Sequence, residues 1–129
     1  MDPKFSSYKI NPKHRVSKPS QTVSVWTVPE WDEVELFAMA SANKWHKNGI
    51  FWAVMKKDSN SKILKIGEDL DNDLGIAKYR CDSNLEWHGY PVHPKDHDIP
   101  PDEILELWRK KNLIDKRDKS KIQKGQFSL

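Results

Sequence analysis

Apolar positions recur every three or four residues from Trp31 to Trp45, run unbroken from Ile50 to Met55, and reappear in short strand-like stretches from Ile76 to Val92. Each pattern predicts a different element. In the first, Trp31, Val34, Phe37, Ala38, Ser41, Ala42 and Trp45 fall on one face of a helix,. Thr27 and Glu30 fit a capping box at its start, and Glu30, Asp32 and Glu33 occupy the turn where the helix dipole favours anions. Lys44, His46 and Lys47 crowd its last turn, and Gly49 suits the position just beyond it.

The run Ile50 to Lys56 predicts a strand buried on both faces. Asp58–Ser61 reads as a turn, with Lys62 to Gly67 as the returning strand. Ile76–Cys81 and Leu85–Val92 predict two more strands joined at Asp82–Asn84. Pro101 opens a helix to Lys111 that carries Ile104, Leu107 and Trp108 on one side, and Asn112 stops it. Asp115 caps a third helix through Ile122, ended by Gly125. The predicted fold is α+β: a small antiparallel sheet of three to four strands packed against an N-terminal amphipathic helix, with two C-terminal helices.

Composition sharpens this picture. Six Trp, four Phe and three Tyr supply a core despite a mean hydropathy of −0.83,. No apolar run reaches the roughly 20 residues a membrane helix needs. Residues Met1–Ser7 hold no apolar signal region, and Cys81 is the lone cysteine, so a cytoplasmic protein without a disulfide-linked partner is expected,.

The formal charge of +3 is unevenly spread. Residues 1–20 carry five Lys or Arg and one acid, residues 110–129 seven and two, and residues 21–109 ten and sixteen. Prolines 3, 12 and 19 and few large apolar residues mark 1–22 as a flexible basic arm,. Residues 23–112 form the α+β domain, and 113–129 a basic C-terminal helix and tail.

Four constellations can carry chemistry. Asp69, Asp71 and Asp73 match the first positions of a calcium loop, but Leu74 stands where glycine is needed and Arg80 where a bidentate Glu belongs,. Near Cys81, His93 and His97 have a plausible zinc spacing, but the gap from Cys81 to His88 is not a standard ligand pair. Neither loop predicts a metal, and no cofactor is expected. If the strands at 76–81 and 85–92 pair, alternation puts Lys78 and Arg80 beside Glu86, His88 and Tyr90. His88 could then serve as general acid or base, with Arg80 or Lys78 stabilising charge on phosphorus. Finally, Lys110, Lys111, Lys116, Arg117, Lys119, Lys121 and Lys124 give the C-terminal helices a basic surface suited to phosphates.

Glycine-rich phosphate loops, Gly-x-Ser-x-Gly elbows and His-Glu-x-x-His pairs are absent from the sequence, which disfavours the chemistries they serve,. The leading expectation is a binding module that contacts a polyanion, nucleic acid with RNA favoured, through its basic ends. The alternatives are a metal-independent, toxin-like ribonuclease using His88 with Arg80 and Lys78, and an inhibitor or immunity-type module whose acidic body covers a basic protein partner.

Overall fold

The computed structural model describes residues 3–4, 7–56, 58 and 62–129. In chain order the elements are β1 (Ser7–Tyr8), β2 (Val25–Trp26), α1 (Glu30–Ala42), β3 (His46–Lys47), β4 (Ile50–Ala53), β5 (Gly67–Glu68), β6 (Asp73–Leu74), β7 (Ile76–Cys81), β8 (Glu86–Val92), α2 (Asp102–Lys110) and α3 (Lys116–Gln123). The α+β class holds, but the strands form two sheets. One has five strands in the order β1-β8-β7-β4-β3, and the other three in the order β2-β5-β6. No helix of the described residues is long and apolar enough to cross a membrane.

The single-sheet expectation fails in the middle of the chain. Of the return strand predicted at 62–67, the described residues show one isolated bridge, Ile63 to Lys56, with Leu64 N–H donating to Met55 carbonyl at 2.8 Å. The chain then leaves the large sheet, and Gly67 and Glu68 pair with Trp26 and Val25 instead. The rest of the turn predicted at Asp58–Ser61 lies, apart from Asp58, outside the described residues. The acidic loop is the tight end of the β5–β6 hairpin. One Asp69 oxygen accepts N–H bonds from Asp71 (2.9 Å) and Asn72 (2.7 Å), so that carboxylate shapes the turn.

Helix α1 forms where expected but is turned about its axis. Glu33, Leu36, Phe37 and Ala40 face the sheet, while Trp31 is 77% exposed and Val34 41%. Apolar residues occupy two opposite faces of this helix, so periodicity alone points to either. The buried face wins because Phe37 meets the rings of Tyr8, Phe51, Tyr79 and Trp87 at 5.0–5.5 Å between centroids. The capping box does not form either. Thr27 N–H donates to Ile66 carbonyl at 2.8 Å, extending the small sheet, and Pro29 takes the N-cap. At the other end Lys44, with φ 58°, terminates the helix; Gly49 serves the Asn48–Gly49 turn between β3 and β4.

The β7–β8 ladder follows the predicted pairing and places Tyr79 opposite Gly89 and Cys81 opposite Trp87. Gly89 makes room for an aromatic ring: a Cβ there would stand 2.2 Å from the Tyr79 ring. Both C-terminal helices also form as read, with Asn112 at φ 60° ending α2 and an Asp115–Asp118 capping box opening α3. Ile122 and Phe127 are buried in the common core, and Trp108 packs edge-on against Trp45 at 6.0 Å.

Residues 7–15, read from sequence within a mobile arm, are seated on the body. Ser7 and Tyr8 pair in parallel with Glu86 and Trp87. His14 is buried, its Nδ1 donating to Ser24 carbonyl at 2.8 Å. Arg15 grips Glu33 through Nε (3.1 Å) and Nη2 (2.6 Å).

Candidate nucleic-acid interface

The sheet face predicted for chemistry exists as a set of cross-strand pairs, Lys78 with Tyr90 and Arg80 with His88. The working ends of these side chains diverge. Lys78, only 4% exposed, donates from Nζ to Asp98 Oδ1 and His97 carbonyl, each at 3.0 Å, above the Trp52 ring. Tyr90 stacks on His14 with centroids 5.2 Å apart. His88 Nε2 lies 3.7 Å from both Asp82 Oδ2 and Glu86 Oε1, while Arg80 is exposed near the end of β7.

The turn between the strands explains the carboxylates at His88. Asp82 Oδ1 accepts from Asn84 N–H (2.8 Å) and Glu86 N–H (3.1 Å), which closes the turn while Leu85 takes φ 59°. These bonds, that from Glu86 first, hold the Asp82 carboxyl below its usual range,. Asp82, Glu86 and His88 are the one group among the described residues whose possible metal-ligating atoms lie within 4.8 Å of one another. Cys81, His93 and His97 do not join them. A phosphate approaching His88 meets two carboxylates, which makes this face a poor anion site.

The seven basic residues predicted near the C-terminus divide by position. Lys119 points across to α2, where Nζ lies 2.9 Å from Glu106 Oε2 and 3.1 Å from Asp102 Oδ1. Its neighbours, Glu106 first, raise its pKa, and Arg109 with Lys119 holds the Glu106 carboxyl down to about 2,. Lys119 therefore joins the two helices. Lys116, Arg117 and Lys121 instead line two adjoining grooves of about 450 and 500 Å³ between α3 and the segment carrying Ile63. Lys110, Lys111 and Lys124 are exposed, Lys111 beside Lys56 in a smaller cleft.

Two further cations complete this surface, and sequence reading missed both. Lys56 and Lys62 line the grooves from the β4 side, with Lys56 Nζ bonded to Asn112 carbonyl at 2.5 Å. Their only sequence signal is their place at the two ends of the hairpin turn, and hairpin length does not say which helix the turn meets. The acids in the grooves, Asp115 and Asp118, are engaged with each other's backbone N–H groups at 2.7 and 3.1 Å. That leaves Lys56, Lys62, Lys116, Arg117 and Lys121 as a basic surface built from two distant parts of the chain. Comparison of the chain with family models, curated proteins and solved structures gives no match.

Proposed function

We propose that this domain binds the phosphate backbone of nucleic acid on the surface formed by α3 and the β4 segment. The observation that carries this reading is the gathering of Lys56 and Lys62 beside Lys116, Arg117 and Lys121 around the adjoining grooves. Cations on a firm scaffold contact successive phosphates without reading bases, and the affinity they supply is salt-dependent. Helix α3 lacks a second apolar stripe for major-groove docking, since Ile122 is its one buried residue. Backbone binding without sequence readout fits that geometry best, and RNA and DNA share the chemistry.

The test is fluorescence anisotropy of labelled RNA and labelled duplex DNA with the full chain, at several salt concentrations. The double variant Arg117→Glu, Lys121→Glu is expected to weaken binding and to reduce the slope of log K against log salt by about 2 on duplex DNA. An unchanged slope and affinity would remove the assignment.

A further inference from the structure

Trp31 sits 77% exposed near the start of α1, and the turns that follow continue an apolar stripe with Val34, Ala38 and Ala42, all exposed. Glu30 and Glu35 flank this stripe on its two sides, as the 100° step of a helix requires,. The face opposite already holds the core, so folding does not explain this second apolar stripe. A nearly fully exposed Trp with aliphatic neighbours and a charged rim has the anatomy of an interface hot spot.

The molecule carries a cleft with the matching chemistry. The groove of about 450 Å³ beside α3 is floored by Ile63 and Phe127 and rimmed by Lys62, Arg117 and Lys121. Asp115 and Asp118 also line it, but their carboxylates serve the α3 cap. The stripe offers an aromatic anchor between acids, and the cleft offers an apolar floor between cations. We infer that the α1 stripe docks into the α3 cleft of a second copy of this chain. Charge complementarity of this kind sets the register of an encounter and makes it sensitive to salt.

The two patches are different surfaces of one molecule, so the contact is heterologous. Each added copy presents another stripe and another cleft, and assembly continues unless the rotation closes it. The cleft also belongs to the proposed phosphate-binding surface, so a second copy and a nucleic acid compete for it. The inference does not depend on that reading, because Trp31, Val34, Ala38 and Ala42 line neither groove.

Sedimentation velocity of the full chain at low salt tests it, with two variants. Trp31→Ala removes the anchor at an exposed site, and Arg117→Glu with Lys121→Glu reverses the rim. The wild-type average mass is expected to rise with concentration and to fall back on added salt, while each variant alone stays monomeric. An equimolar mixture of the two variants is expected to form a 1:1 pair and nothing larger, since one supplies an intact cleft and the other an intact Trp31. A monomeric wild type at every concentration, self-association of the Trp31→Ala variant, or failure of the variants to pair would each overturn the inference. Trp31→Ala retains full nucleic-acid affinity if the phosphate surface is correct, so the two readings fail separately.

Discussion

Arg15 and Lys119 each tie a basic end segment to an acid of the body, at 2.6 Å to Glu33 and at 2.9 Å to Glu106. The distances are alike and the surroundings are not. Glu33 is 1% exposed, and its carboxylate also accepts the Tyr8 hydroxyl, while its backbone carbonyl accepts the Tyr79 hydroxyl at 2.8 Å. Burial pushes the Glu33 carboxyl above its usual range, and it drives the Tyr8 hydroxyl upward as well,. Glu106 lies at the surface between Arg109 and Lys119, which pull it the other way. The same kind of pair is thus structural cement in one place and a solvated clasp in the other. The difference also decides which cations remain for a partner. The N-terminal segment uses Arg15 to hold itself down, whereas α3 uses Lys119 and leaves Lys116, Arg117 and Lys121 on the grooves.

The largest expected effect breaks the buried cluster. Glu33→Ala leaves Arg15 without its carboxylate partner and Tyr8 without its acceptor, and should lower stability by about 3–5 kcal/mol in urea unfolding. Replacing both charges with apolar residues, Glu33→Leu with Arg15→Met, should recover most of that loss, because no buried charge is then left alone. If Glu33→Ala shifts the midpoint no more than an ordinary surface substitution, the contrast between the two clusters collapses.

This cluster is also where the sequence was least informative. The period from Trp31 to Trp45 establishes a helix, and the helix is there. It cannot choose between two apolar faces, and the residue at the centre of the buried one is a glutamate. A buried Glu becomes acceptable only when Arg15 and Tyr8, eighteen and twenty-five residues away, arrive beside it. Such long-range compensation leaves no local mark. Alternation along 76–92 was readable because a strand's period of two is strictly local, and it put Lys78 and Arg80 on the face of Glu86, His88 and Tyr90, where the ladder pairs Lys78 with Tyr90 and Arg80 with His88,. Where those side chains end was not readable, since Asp98, His14 and Asp82 come from loops and turns. The cap of α3 was legible for the opposite reason: Asp115 and Asp118 lie three residues apart and satisfy each other's N–H groups,.

An intermediate case sharpens the comparison through pH. His14 is buried with its Nδ1–H on Ser24 carbonyl, and burial lowers its pKa from 6.5. The folded value lies below the unfolded one, so the neutral ring's contribution to stability is fully present above about pH 6.5 and is lost as pH falls through the folded value. His14→Phe keeps a ring against Tyr90 and cannot take up a proton. Melting temperatures measured from pH 7.5 downward should therefore fall less steeply in the variant than in the wild type. Parallel curves would mean that His14 is not a source of the acid sensitivity.

The smallest effect belongs to the solvated clasp. Lys119→Ala removes the amine from Glu106 and Asp102, yet Arg109 still faces Glu106 through Nε at 3.1–3.2 Å and Nη2 at 2.7 Å, and Gln123 still reaches Asp102 at 2.7 Å. Water is available to all the groups exposed, and Ile122 keeps α3 fastened to the core,. The change in melting temperature should be slight at low salt and should vanish in high salt, where surface pairs are screened. A partial rise of the Glu106 carboxyl pKa, with Arg109 still holding it below its usual range, would still be visible by NMR titration of that side chain, so the substitution can be shown to act without unfolding anything. A drop as large as that of Glu33→Ala would mean that the α2–α3 contact depends on charge rather than on the apolar side chains beneath it, and the distinction drawn from burial would be wrong.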